Sequence, residues 1–199
     1  MAIITLPNLN RWSTARWGVV TGDTVLETMN GIEQIVKGPP PKRPYQITLI
    51  GLNATERRLW GLALEQLTSL ENTFQAPPPD FEGPASGYSG ANPLVLGSSQ
   101  LGTSVDVDGA TNSTEILKAG DWFVINAEIK RSTADVTTSG TGTATIPFTP
   151  AFRTSPLDNE PVIIDAPTVD LRFINPSIVM DLDSVLNGSL SINAIEVWR

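Results

Sequence analysis

The chain has 199 residues, 40% of them hydrophobic, which is enough for one large domain or two small ones with packed cores. Its 13 basic and 21 acidic residues give a net charge of −8. That excludes tight, non-specific binding of nucleic acid through clustered Lys and Arg, although not a passage through which DNA slides. The absence of Cys and His removes disulfides, thiolate chemistry, the ordinary serine and cysteine triads and the commonest metal ligand.

Residues 1 to 15 read as an irregular arm, either disordered or lying on a neighbour; Leu6, Leu9 and Trp12 among polar residues favour docking. The run Met1-Ala-Ile-Ile-Thr-Leu-Pro7 has no basic region before its short apolar stretch and is read as a poor signal peptide. No apolar run approaches the roughly 18 residues of a membrane-spanning helix. Assembly in a cytoplasm without membrane insertion is therefore expected.

Arg16–Val20 and Thr24–Thr28 are β-rich and flank Thr21-Gly22-Asp23, a candidate hairpin turn; Asn30-Gly31 is a second turn signal. Tyr45, Ile47 and Leu49 alternate with Gln46 and Thr48, as in a half-buried strand. A helix is predicted over Leu52–Phe74. Asn53 and Glu56 have the spacing of a capping box, and Trp60, Ala63, Leu67, Leu70 and Phe74 share one face. Pro77, Pro78 and Pro79 forbid its continuation.

Beyond a Pro- and Gly-rich connection, Leu94 to Pro150 carries short apolar pieces separated by glycines, the texture of a compact antiparallel barrel or sandwich. Lys118-Ala-Gly120-Asp121 reads as a turn feeding a central strand at Trp122. Val169–Ile174, Ile178–Met180 and Leu190–Trp198 read as further strands. A tail of that length buries little by itself. The expected organisation is mainly β with one amphipathic helix. Residues 1–80 and 157–199 form one discontinuous domain, and 81–156 an inserted β-barrel module.

Chemical signals are weak. Asp106-Val-Asp108-Gly109 fails as a calcium loop because its glycine falls at the fourth position and Leu117 at the twelfth. Gly140-Thr-Gly142 lacks the third glycine or lysine of a phosphate loop. Asp121, Glu128, Asp135, Asp158 and Glu160 offer carboxylates for acid–base work on a glycan, but none has a marking context. No catalytic residue, cofactor or metal is assigned, and no enzymatic activity is expected. Trp60 and Trp122 read as core, whereas Trp12 and Trp17 suit a subunit interface. The sequons at Asn53, Asn112 and Asn187 are treated as chance.

The N-terminal hairpin, Asn30-Gly-Ile-Glu-Gln34, the Tyr45 strand, the amphipathic helix and an inserted β-module follow one another in order. The module carries Leu117-Lys-Ala-Gly-Asp-Trp122 and Gly140-Thr-Gly-Thr-Ala-Thr-Ile-Pro-Phe-Thr-Pro-Ala-Phe-Arg153. Over most of its length the chain resembles the distal tail proteins of long, non-contractile-tailed bacteriophages. It departs from them at Pro39-Pro-Pro-Lys-Arg-Pro-Tyr45, where relatives look more like Pro-Gly-x-Arg-Trp.

The resemblance implies a structural virion protein at the distal end of the tail, a homo-oligomeric ring of six copies joining the tail-tube protein to the tail-tip or hub proteins. It implies a tail-tube-like β-sandwich or barrel with an inserted module resembling a small oligonucleotide- or oligosaccharide-binding-type barrel that serves in host attachment. Genomic DNA would pass through the lumen during ejection without specific binding. On this reading Trp12, Trp17, Arg57, Arg58 and Glu65 are expected at subunit interfaces, and Glu27, Glu33, Asp170, Asp181 and Asp183 are expected to line an acidic lumen. The alternative is a carbohydrate-binding module of a host-recognition device. An enzyme with a carboxylate pair stands third.

Overall fold

The computed structural model describes residues 3–7, 13–27, 29–38, 41–67, 71–174, 180–182 and 188–197. The protein is mainly β, with one helix among the described residues. It folds as two compact units: Met1–Gln75 together with Asp170–Val197, hereafter the outer unit, and Ala76–Val169, the inserted unit.

The first part of the chain supplies β1 (Ile3–Ile4), β2 (Thr14–Trp17), β3 (Thr24–Glu27), β4 (Glu33–Val36), β5 (Pro44–Leu52), helix α1 (Ala54–Gln66) and β6 (Thr73–Ala76). Next come β7 (Leu94–Val95), β8 (Ser104–Asp108), β9 (Glu115–Leu117), β10 (Trp122–Ile125), β11 (Glu128–Ser132), β12 (Val136–Thr137) and β13 (Ala144–Thr149). The last part gives β14 (Val169–Phe173), β15 (Met180–Leu182) and β16 (Gly188–Glu196).

One sheet runs β1-β6-β14-β16-β5-β2, with β15 also on β16, so strands from both ends of the sequence interleave. β16 lies antiparallel to β5, with Ile192 opposite Ile47 and Ala194 opposite Tyr45. Alternation does the rest. Tyr45, Ile47 and Leu49 are buried on β5, and Leu190, Ile192 and Ala194 on β16. Where β16 ends beside the start of β5 there is a buried ion pair: Arg43 Nη1 lies 3.5 Å from Glu196 Oε2, and the Glu196 amide donates to the Arg43 carbonyl.

Helix α1 begins as its sequence dictates. The Thr55 and Glu56 amides donate to Asn53 Oδ1, and Glu56 Oε2 accepts from the Asn53 amide, closing the capping box. Trp60, Ala63 and Leu67 are buried. The helix stops at Gln66, well short of the predicted Phe74. Asn72 Nδ2 donates to the Gln66 carbonyl, satisfying one of the carbonyls a helix end leaves open. Phe74 instead sits in β6, fully buried, its ring 5.2 Å from that of Phe173. Leu70 lies outside the described residues.

In the inserted unit a five-stranded sheet runs β10-β11-β13-β8-β7, with β9 and β12 as a separate pair. Its core gathers Val105, Val107, Ile116, Phe123, Ile125, Ile146, Phe148, Val162 and Ile164. The last two move the expected boundary. The units part at Gln75/Ala76 and Val169/Asp170, because the segment after residue 156 is stitched into the inserted sheet. The Val162 amide donates to the Pro93 carbonyl, Ile163 and Val124 exchange backbone bonds, and the Ile164 amide donates to Asn92 Oδ1. The Pro-rich connection also contributes core: Tyr88 is buried, its hydroxyl donating to the Ala91 carbonyl.

Candidate functional site

The predicted turn at Thr21-Gly22-Asp23 is not a turn. The chain runs straight through it. β2 pairs with β5, Val20 and Lys42 exchange backbone bonds, and β3 pairs with β4, all antiparallel. Residues 14–27 on one side and the described residues 33–38 and 41–48 on the other therefore make one long ribbon that reverses at Asn30-Gly31, where Gly31 takes φ +73°. At mid-ribbon the strands touch at Gly22 and Gly38, where a Cβ on Gly38 would overlap the Gly22 carbonyl, and the Gly38 amide donates to Asp23 Oδ1. From Val20 to the tip the ribbon reaches roughly 30 Å at the usual rise per residue.

All four residues of β3 and all four of β4 are exposed. Val25, Leu26, Ile35 and Val36 of the strands and Met29 and Ile32 of the tip are among the exposed large hydrophobic side chains, Ile35 at 66%. Successive strand residues point to opposite faces, so Val25–Leu26 and Ile35–Val36 make both faces apolar. A two-stranded ribbon is at best marginal in water, and apolar side chains on both faces call for a partner. Glu27 and Glu33 stand directly opposite each other near the tip, both exposed. Like charges so paired are unfavourable in isolation.

At its base the ribbon forms the edge of the sheet. A cleft of about 440 Å³ there is lined by Arg16, Trp17, Pro44, Tyr45, Ile174 and Asn193, among others. Trp17 is half-buried opposite Tyr45. On α1, Arg58 and Glu65 are exposed, and so are Leu59 and Leu62, two apolar residues one turn apart that periodicity assigns to the polar side.

One residue expected to line the lumen is reassigned. Asp170 is buried and accepts from Gln75 Nε2 at 2.9 Å, so it does not present charge to solvent. Arg57 is half-buried with its methylenes over Gly188, where a Cβ would meet Arg57 Cδ at 2.8 Å. Asp181 is exposed on β15. Trp12 and Asp183 lie outside the described residues.

The five carboxylates considered for acid–base work, Asp121, Glu128, Asp135, Asp158 and Glu160, serve separate loops. Asp121 accepts from the Ala85 and Lys118 amides, Asp135 from Ala119, Asp158 from Gly97, and Glu160 from Leu157. Glu128 accepts from the Arg153 and Thr154 amides and from Lys130 Nζ. Burial alone would raise the Glu128 pKa, but the Lys130 hydrogen bond and charge, with Arg153 beside them, hold it below its ordinary value. Lys130 Nζ also sits 4.9 Å from the centroid of the Phe152 ring.

A second cleft, about 470 Å³, lies among Asp80, Phe81, Glu82, Asp121, Trp122 and Arg131. Its polar groups are engaged with one another. Trp122 Nε1 donates to Asp80 Oδ1, Arg131 Nε donates to the Gly120 carbonyl, and the Arg131 guanidinium lies 4.7 Å from the Trp122 ring centroid.

Comparison with known proteins returns no matching family model and no matching curated protein.

Proposed function

We propose that this chain is a ring-forming structural subunit of a bacteriophage tail, of the distal tail type, with the outer unit as the ring-former. The sequence resemblance suggests the class, and the exposed ribbon is the observation that carries it. A ribbon apolar on both faces suits a subunit whose neighbours cover it. The open edge and cleft at β2 and the Leu59–Leu62 side of α1 are surfaces unlike the ribbon, as a head-to-tail contact requires. Such contacts close into rings. Glu27, Glu33 and Asp181, exposed and of one sign, would give a lumen that repels DNA phosphates and lets the genome pass. The carbohydrate-binding alternative is less well supported, because the polar groups of the second cleft already bond to one another.

The test is the mass of the purified chain, by light scattering and negative-stain imaging, alone and with tail-tube and tail-tip proteins. Closed rings of defined copy number are expected, and Leu26→Asp with Ile35→Asp should leave a folded monomer. A wild-type chain that stays monomeric in every combination would overturn the proposal.

A further inference from the structure

Between Ala76 and Val169 the sequence carries eleven acidic residues and four basic ones, Lys118, Lys130, Arg131 and Arg153. All four cations are committed: Lys118 to Glu115, Lys130 and Arg153 to Glu128, and Arg131 to Asp80. The inserted unit therefore carries a large excess of negative charge with no cation left over to balance it. Within that field the exposed large apolar side chains among the described residues fall on two loops, 96–101 and 157–160. Leu96, Leu101 and Leu157 are 48%, 65% and 73% exposed.

Their loops are stitched into a single cluster. Gln100 Nε2 donates to the Leu96 carbonyl, the Gly97 amide to Asp158 Oδ1, the Leu157 amide to Glu160 Oε2, and the Leu96 amide to the Asp106 carbonyl. The leucines are thus held in place by the same bonds that set Asp106, Asp158 and Glu160 around them.

The geometry points to a docking surface for a cationic, amphipathic segment of another protein, one with apolar residues along one face and Lys or Arg flanking them. The leucines supply the apolar contact, and the carboxylate rim selects the charge. An anionic membrane surface or a nucleic acid would be repelled by the same rim. This inference stands apart from the ring proposal, since it uses no residue of the outer unit.

The experiment titrates the full-length chain with three fluorescently labelled 18-residue peptides: a Leu/Lys amphipathic helix, its Leu/Glu counterpart and a Ser/Lys control. The Leu/Lys peptide should bind. Its affinity should fall at least tenfold in Leu101→Ser/Leu157→Ser, and again on raising salt, while the other two peptides should bind at least tenfold more weakly. Melting of the double variant at the wild-type temperature confirms that it folds. Equal binding of the Leu/Lys peptide by wild type and the double variant would overturn the inference. So would comparable binding of the Ser/Lys or Leu/Glu peptide, no binding at all, or loss of binding in the ribbon variant Leu26→Asp/Ile35→Asp.

Discussion

Lys130 Nζ lies 2.6 Å from Glu128 Oε2, two residues away on one strand, with the lysine side chain fully excluded from solvent. Neighbours in a strand point to opposite faces, so residues two apart share one, and β11 uses that spacing to place an ion pair inside the protein. Arg153 Nε joins at 3.3 Å, tying the segment after β13 to the same carboxylate. Lys130→Met removes one of the two cations on a buried carboxylate and leaves Arg153 with it. It should cost about 1.5–3 kcal/mol in urea unfolding, whereas Glu128→Gln with Lys130→Met should cost clearly less than the sum of the single changes.

The same carboxylate predicts a pH dependence. Its folded pKa is depressed below the ordinary 4.5. The stabilisation is therefore fully present above pH 4.5 and is lost as the pH falls through the folded value. Thermal melts should show the inserted unit weakening below about pH 4.5, and Glu128→Gln should flatten that part of the profile.

Asn126 and Ala127 join β10 to β11 with φ of +51° and +55°. Two left-handed residues in a two-residue hairpin connection favour Asn-Gly, and the Cβ of Ala127 is disfavoured there. Ala127→Gly should raise stability by about 1 kcal/mol, read as a higher melting temperature, and Ala127→Val should lower it.

Trp60 is 1% exposed on α1. Trp60→Ala should cost about 3–5 kcal/mol, and Asn53→Ala, which opens the capping box, about 1 kcal/mol. Both are measured by chemical unfolding. A negligible loss at Trp60 would contradict its burial against the core of its unit.

Local signals were legible wherever the chemistry is local. The Asn53–Glu56 box, the Tyr45-Ile47-Leu49 alternation, the Asn30-Gly31 reversal and the Lys118–Asp121 turn, where the Asp121 amide donates to the Lys118 carbonyl, depend on neighbours in sequence. β11 was hidden because its inward positions are Glu128, Lys130 and Ser132, and polarity disguises burial once the charges are paired. Phe74 continued the helical rhythm, but its burial beside Phe173 is settled by a strand about a hundred residues away.

The sequence by itself determined a mainly β chain with one capped helix, no His or Cys chemistry and an acidic balance, because composition and short-range spacing carry that information. Tertiary structure alone decided that residues 14–27 form one side of a long ribbon, that Asp170 is buried while Glu27 and Glu33 face each other in solvent, and that Val162 and Ile164 belong to the inserted core. Each depends on which distant strand lies alongside, and strand pairing between remote segments is set by mutual burial and register, which no local pattern encodes.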